Sequence, residues 1–236
     1  MTNFQIELAG KKIEINSFYR TVEEMCRDYI CERVEKADLY ITSTEESIEQ
    51  ERKKDVQEKK ASEEQLEVLA VYRSIAEELL EHSIFLMHGS VVATNGRAYM
   101  FTAASGVGKT TRSMEWVRQI ENSIVVNGDK PLLKIKEKEV YACGTPWCGK
   151  EKLNTNVCLP LSGIILLERA EKSSLQKIEF SSAFPKLLQQ TYRPQNPLKM
   201  AKTLALLKKM EKKVSFYKYC INLEDMDMKK LYEAVR

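Results

Sequence analysis

The 236-residue chain is expected to fold as an α/β protein. Its sheet should be mixed and largely antiparallel, built around a helix that follows a glycine-rich turn, with an α+β region before it. Three observations predict this. The stretch Phe101-Thr102-Ala103-Ala104-Ser105-Gly106-Val107-Gly108-Lys109-Thr110-Thr111 reads as a strand end, a small-residue turn and the first turn of a helix. The apolar run 84–93 before it leads into Asn95-Gly96, the favoured two-residue hairpin turn, because both central residues need φ > 0. The strand entering the turn therefore runs back antiparallel, unlike the parallel strand of a βαβ unit. Two regions are expected: 1–83, an α+β segment, and 84–236, the core that carries the turn.

In chain order, 4–8 and 11–15 alternate around Ala9-Gly10 and read as a hairpin. Residues 22–30 read as a short helix and 38–42 as a strand. Ser43 with Glu46 forms a capping-box pattern ahead of a charged helix and loop over 45–60, with only Ile48 and Val56 as aliphatic anchors. Ser62 with Gln65 repeats the pattern before Leu66, Leu69, Val71, Ile75, Ala76, Leu79 and Leu80, a broad apolar face. Then come a buried strand at 84–93, the returning strand 97–102, and a helix with Met114, Val117 and Ile120 at helical spacing. Strands follow at 123–126, 132–135, 140–143, 163–167 and, more weakly, 175–180. Helices are expected at 182–191 and 198–213, a strand at 216–221, and a terminal helix from 222.

Composition sets the class. Hydrophobic content of 43% and charged content of 30% are ordinary for a globular protein. A net charge of +3 argues for neither a nucleic-acid nor a membrane partner. No apolar run has the length of a membrane span, and the N-terminus lacks a basic segment followed by an apolar one, so a cytoplasmic location is expected. The six cysteines (26, 31, 143, 148, 158 and 220) form no C-x-x-C, and His82 and His88 do not stand at zinc-finger spacing from them. They are expected to be reduced, mostly buried hydrophobes.

The chemistry concentrates at 105–111. Gly106 and Gly108 let backbone N–H groups converge without a Cβ in the way. The helix start adds unpaired N–H groups and the positive end of its dipole. Lys109 supplies a charge for terminal phosphates, and Thr110 a hydroxyl for Mg²⁺. Ser105, Gly106, Val107, Gly108, Lys109, Thr110 and Thr111 are the candidate nucleotide-binding residues, a Walker A pattern of the P-loop kind. Ala103 stands where the full pattern has glycine, and a position needing φ > 0 would resist it.

The run His88-Gly89-Ser90, the Asn95-Gly96 hairpin, the turn at 105–111 and Gly128-Asp129 together resemble the HPr kinase/phosphorylase catalytic domain, and more distantly phosphoenolpyruvate carboxykinases. Gly144-Thr145-Pro146-Trp147-Cys148-Gly149-Lys150 and Leu166-Leu167-Glu168-Arg169-Ala170 resemble a branch of small HPr-kinase-like proteins. The likeness covers roughly residues 84–170. It implies ATP as phosphoryl donor, Mg²⁺, and a hydroxyl acceptor on a protein serine, a peptide or a small molecule; a homo-oligomer is among the expected states.

From the residues themselves, Asp129 is placed to hold the metal or to take the acceptor's proton, beside a plain Asn-Gly-Asp turn reading. The resemblance matches His88 to a histidine supporting an acidic pair, of which this chain has Gly128 and Asp129. Catalytic candidates are thus Asp129, His88 and Lys109, and metal candidates Thr110 and Asp129. Lys150 and Arg193 are candidates for substrate or phosphate contact, against solvent exposure. Trp147 stacks on a base or packs, and Arg169 pairs with Glu168. Three functions follow: an ATP-dependent, Mg²⁺-requiring kinase, a nucleotide-binding regulatory module without turnover, or a carboxykinase-like enzyme, for which the histidine supply is thin.

Overall fold

The computed structural model describes residues 1–54, 61–222 and 227–236. It divides into two compact units, Met1–His82 and Ser83–Arg236.

In the first unit β1 (Thr2–Leu8) and β2 (Lys11–Ser17) form the hairpin, turning at Ala9 and Gly10 with φ of 52° and 71°. Both residues adopt the left-handed conformation that a two-residue hairpin requires. After α1 (Arg20–Met25), β3 (Leu39–Thr42) adds to β2 in parallel. Next come α2 (Glu45–Lys54) and α3 (Glu63–Glu78), the latter opened by the Ser62–Gln65 capping box. The cap of α2 lies one residue later than expected: Thr44 and Ser47 exchange hydrogen bonds, while the Ser43 hydroxyl is buried without a partner. The end of the expected 45–60 segment, with Val56, falls outside the described residues. Glu67 of α3 is fully buried and accepts from the backbone N–H groups of Phe18 and Tyr19 at 2.6 and 3.0 Å, a carboxylate set at the start of α1. A cleft of about 680 Å³ in this unit, lined by Phe18, Tyr19 and several glutamates, contains none of the candidate residues.

The second unit opens with β4 (Ile84–Leu86), β5 (Ser90–Thr94) and β6 (Arg97–Thr102), then α4 (Lys109–Gln119) and β7 (Ser123–Asn127). β8 (Leu132–Ile135), β9 (Val140–Cys143), β10 (Cys158–Arg169) and β11 (Ser174–Ile178) follow. The chain closes with α5 (Phe180–Gln190), α6 (Pro197–Lys208), β12 (Ser215–Ile221) and α7 (Met228–Val235). Strand order is β4-β8-β9-β10-β6-β5-β7, with β12 on β10 and β11 on β12. Among the described residues β10 pairs in parallel with β6 and β12, and every other ladder of this sheet is antiparallel. The result is a mixed α/β fold.

The α4 helix lies on one sheet face through Trp116, which is fully buried against Phe101, Tyr99 and Tyr232. Its indole N–H donates to the Thr94 hydroxyl at 2.7 Å, and Ser113 bonds Ser90 at 2.7 Å. Removing such a buried tryptophan costs about 3–5 kcal/mol. These contacts fix the helix, and so the turn that starts it, on β5 and β6.

Three expectations are corrected here. The single strand at 84–93 is two strands in separate parts of the sheet, interrupted at 87–89. Cys143 and Cys158, directly opposite in the β9–β10 ladder, form a disulfide; cysteines 26, 31, 148 and 220 are free. Their spacing carries no signal, because the register that pairs them is tertiary. The final helix begins at Met228, after residues outside the description.

Candidate active site

The glycine turn leaves β6 at Thr102. Gly106 and Gly108 have φ of 77° and 111°, a backbone that L side chains rarely adopt. Ala103 is not among the positive-φ residues, so alanine meets no obstacle there. Gly108 is the N-cap of α4 with no side-chain cap, which leaves the first helical N–H groups directed into the turn. Ser105 and Thr111 are exposed, and Val107 and Thr110 half-buried. Lys109 is buried at 8% exposure, its ammonium folded back onto the carbonyls of Ala103 and Ala104 at 3.0 and 3.3 Å. Burial pushes its pKa down, and the charge of the Asp129 carboxylate pushes the other way.

The interruption between β4 and β5 aims His88. Met87 bridges Thr191, His88 N–H donates to the Gln190 carbonyl at 2.7 Å, and Gly89 N–H to the Asp129 carbonyl at 2.8 Å. A Cβ on Gly89 would stand 2.8 Å from the Phe101 carbonyl oxygen, so only glycine lets the chain turn there. The imidazole then spans two partners: Nε2 lies 3.1 Å from Asp129 Oδ1, and Nδ1 2.9 Å from Gln190 Oε1.

Asp129 is delivered by a side-chain-stabilised turn. Asn127, fully buried, accepts at Oδ1 from the N–H groups of Asp129 and Lys130 at 2.9 and 2.7 Å. Its amide nitrogen donates to the Thr145 carbonyl and hydroxyl oxygens, both at 3.0 Å. The Asn-Gly-Asp turn reading is met by this backbone, and the same turn brings Asp129 to His88. Lys130 Nζ sits 2.6 Å from Asp129 Oδ2. Burial alone would raise the Asp129 carboxyl, but hydrogen bonds from His88 and Lys130 prevail and hold it at about 2. It is therefore ionised at neutral pH.

Gly128 cannot be exchanged for a second aspartate without moving the backbone. A Cβ there would stand 2.9 Å from the Cys148 carbonyl oxygen and 3.3 Å from that of Leu153. The 144–150 loop presses equally close to Asp129, where Gly149 (φ 84°) puts a would-be Cβ 3.2 Å from the Asp129 Cβ. Trp147 packs in this loop at 9% exposure.

Of the two magnesium candidates, the Thr110 hydroxyl is half-buried in the first turn of α4, and Asp129 is not poised as a ligand. The Asp129 carboxylate has both oxygens engaged by nitrogen partners, and among the described residues no three His, Cys, Asp or Glu side chains gather as ligands. A dication on Oδ2 would also face the Lys130 ammonium; even unit like charges at about 4 Å repel by about 4 kcal/mol at an effective dielectric of 20.

The remaining candidates separate. Lys150 and Arg193 are exposed. The expected Glu168–Arg169 pair is replaced: Glu168 pairs with Lys186 and Lys218, while Arg169 Nη2 donates to the Gly106 carbonyl at 2.6 Å. Neighbouring residues on a strand point to opposite faces, which separates this pair. Gln190 gave no signal in the sequence, standing 102 residues from His88. Lys130 did leave one, as the neighbour of Asp129, and Arg169 ends a strand that runs beside β6.

No family model matches the chain, and no curated protein matches it. Among solved structures it is similar to that of the Hpr(Ser) kinase/phosphatase from Coxiella burnetii, at 10% sequence identity and a TM-score of 0.39, over 63% of this chain and 94% of that one. No helix among the described residues is long and apolar enough to cross a membrane. The functional reading rests on the site's own geometry.

Proposed function

We propose that the chain is a nucleoside-triphosphate-dependent phosphotransferase, moving the terminal phosphoryl group of ATP to a hydroxyl of a protein, a peptide or a small molecule. One observation carries the reading: the Lys109 ammonium at the uncapped start of α4, folded onto the Ala103 and Ala104 carbonyls, lies within the field of a carboxylate held ionised by His88 and Lys130. The turn N–H groups and Lys109 would hold the phosphates, as helix starts and ammonium groups favour anions. The acceptor oxygen bonds to the γ-phosphorus, the bond from that phosphorus to the β,γ-bridging oxygen breaks, and ADP leaves with that oxygen. With Lys130 turned from Oδ2 to the phosphates, Asp129 takes the acceptor's proton on that oxygen as the bond forms; a positioned base contributes about 10²–10⁴-fold. The strand interruption at His88, the glycine turn and the Asn127–Asp129 turn support grouping this core with HPr-kinase-like proteins.

The test is transfer from γ-labelled ATP to candidate acceptors, with hydrolysis followed alongside. Loss of turnover in Asp129→Asn with nucleotide binding retained supports the kinase. Binding in both proteins with turnover in neither supports a second reading, a regulatory nucleotide-binding module. The walled-in Gly128, which leaves the turn at 127–129 one aspartate in place of an adjacent pair, favours that alternative.

A further inference from the structure

We propose that Lys130 is the built-in counter-cation of this site, so that the chain binds the triphosphate of a nucleotide without a divalent metal held by the protein. The inference rests on the phosphate-binding reading above and adds to it what neutralises the ligand.

Lys130 is fixed at its backbone. Its N–H donates to Asn127 Oδ1 at 2.7 Å, its carbonyl accepts from the Thr145 hydroxyl at 2.8 Å, and Pro131 follows. Asn127 and Thr145 are both fully buried and bonded to each other, so the frame around Lys130 belongs to the core. From it the ammonium reaches Asp129 Oδ2 at 2.6 Å, the side of the carboxylate opposite His88. Its side chain is 36% exposed.

The charges at the turn then sum in favour of a polyanion. Three cations, Lys109, Lys130 and the Arg169 guanidinium on the Gly106 carbonyl, stand against two carboxylates, Asp129 and the Glu151 that flanks Gly149, an excess of one positive charge before His88 is counted. A second aspartate at position 128, which would give a dication an adjacent pair of carboxylates, is excluded by the Cys148 and Leu153 carbonyls around Gly128. A lysine ammonium is a compact charge on a flexible stem and can pass from a carboxylate to a phosphate oxygen without disturbing the backbone. Phosphoryl transfer depends chiefly on positioning and charge neutralisation. Lys130 supplies the neutralisation from within the chain.

The experiment is calorimetric titration of the full chain with ATP, once in excess EDTA and once in excess MgCl₂, repeated on Lys130→Gln and Lys130→Arg. In the wild type the metal-free affinity should lie within about threefold of the magnesium value, less than half the free energy of a tenfold change. Lys130→Gln should weaken metal-free binding by at least about tenfold, as loss of a charge-assisted hydrogen bond does, and Lys130→Arg should retain it. Wild-type binding that requires magnesium, or metal-free binding unmoved by Lys130→Gln, overturns the inference and leaves the phosphate-site reading standing. No binding of ATP under either condition overturns that reading, and the inference with it.

Discussion

Gln190 holds His88 at two points, through its backbone carbonyl to His88 N–H at 2.7 Å and through its side-chain oxygen to Nδ1 at 2.9 Å. Gln190 is the last residue of α5, so the end of a helix far along the chain sets the plane of the ring that meets Asp129. In Gln190→Leu the backbone contact survives and the ring loses its lateral restraint. Turnover should fall by about tenfold, a fraction of what a positioned base contributes, with ATP affinity unchanged. A matching loss of affinity would mean that Gln190 supports the fold rather than the ring.

Asp129 makes stability depend on pH in a stated direction. Its carboxyl titrates at about 2 in the folded chain against an ordinary 3.8. A folded value below the unfolded one stabilises the fold above about pH 4 and is lost as pH falls towards about 2. The upper bound on that contribution is about 2 kcal/mol at neutral pH. Urea unfolding of wild type and Asp129→Asn should therefore show a stability gap that narrows between about pH 4 and pH 2. A gap independent of pH would show that the pairing with His88 and Lys130 does not form.

Gly128→Asp tests whether the acidic pair can be restored. The new Cβ must displace the Cys148 carbonyl, and overpacking of this kind costs typically about 1–3 kcal/mol. A lower melting temperature with no gain in turnover is expected. Unchanged stability would mean that the 144–150 loop yields easily.

The disulfide gives a fourth test. Cys143 and Cys158 enclose a separation of 15 residues that contains Thr145, Trp147 and Gly149. Closing a loop of that length is worth about 3 kcal/mol in the chain-entropy account. Cys143→Ser should lower stability by that order, and a thiol reductant should lower wild-type stability to the same level. If reductant leaves unfolding unchanged, the cysteines are unpaired in solution.

What was legible in the sequence was local. Asn95-Gly96, Ser62 with Gln65, and the Gly106–Gly108 turn each state their geometry within a few residues, because φ > 0 or a cap hydrogen bond is demanded at a single position. The pairing of Asp129 with His88 was legible only through family likeness. Gln190, the Cys143–Cys158 bridge and the Arg169–Gly106 contact were not, since each depends on strand register or on a helix end placed by packing. The strand interruption at 87–89 was hidden for another reason: Leu86 and Val91 are apolar on either side of it and Met87 is apolar within it, and hydrophobicity alone does not show where hydrogen-bond partners change.

The strand β6 lies between an antiparallel neighbour, β5, and a parallel one, β10. Both of its edges are spoken for, so the anchor of the glycine turn has no free margin along which to unzip. Amide protons at 98–102 should be among the last to exchange with deuterated water, opening only with the whole unit. Any give needed to admit and release a ligand must then come from beyond the strand, in the turn itself and in the loop pressed against Asp129.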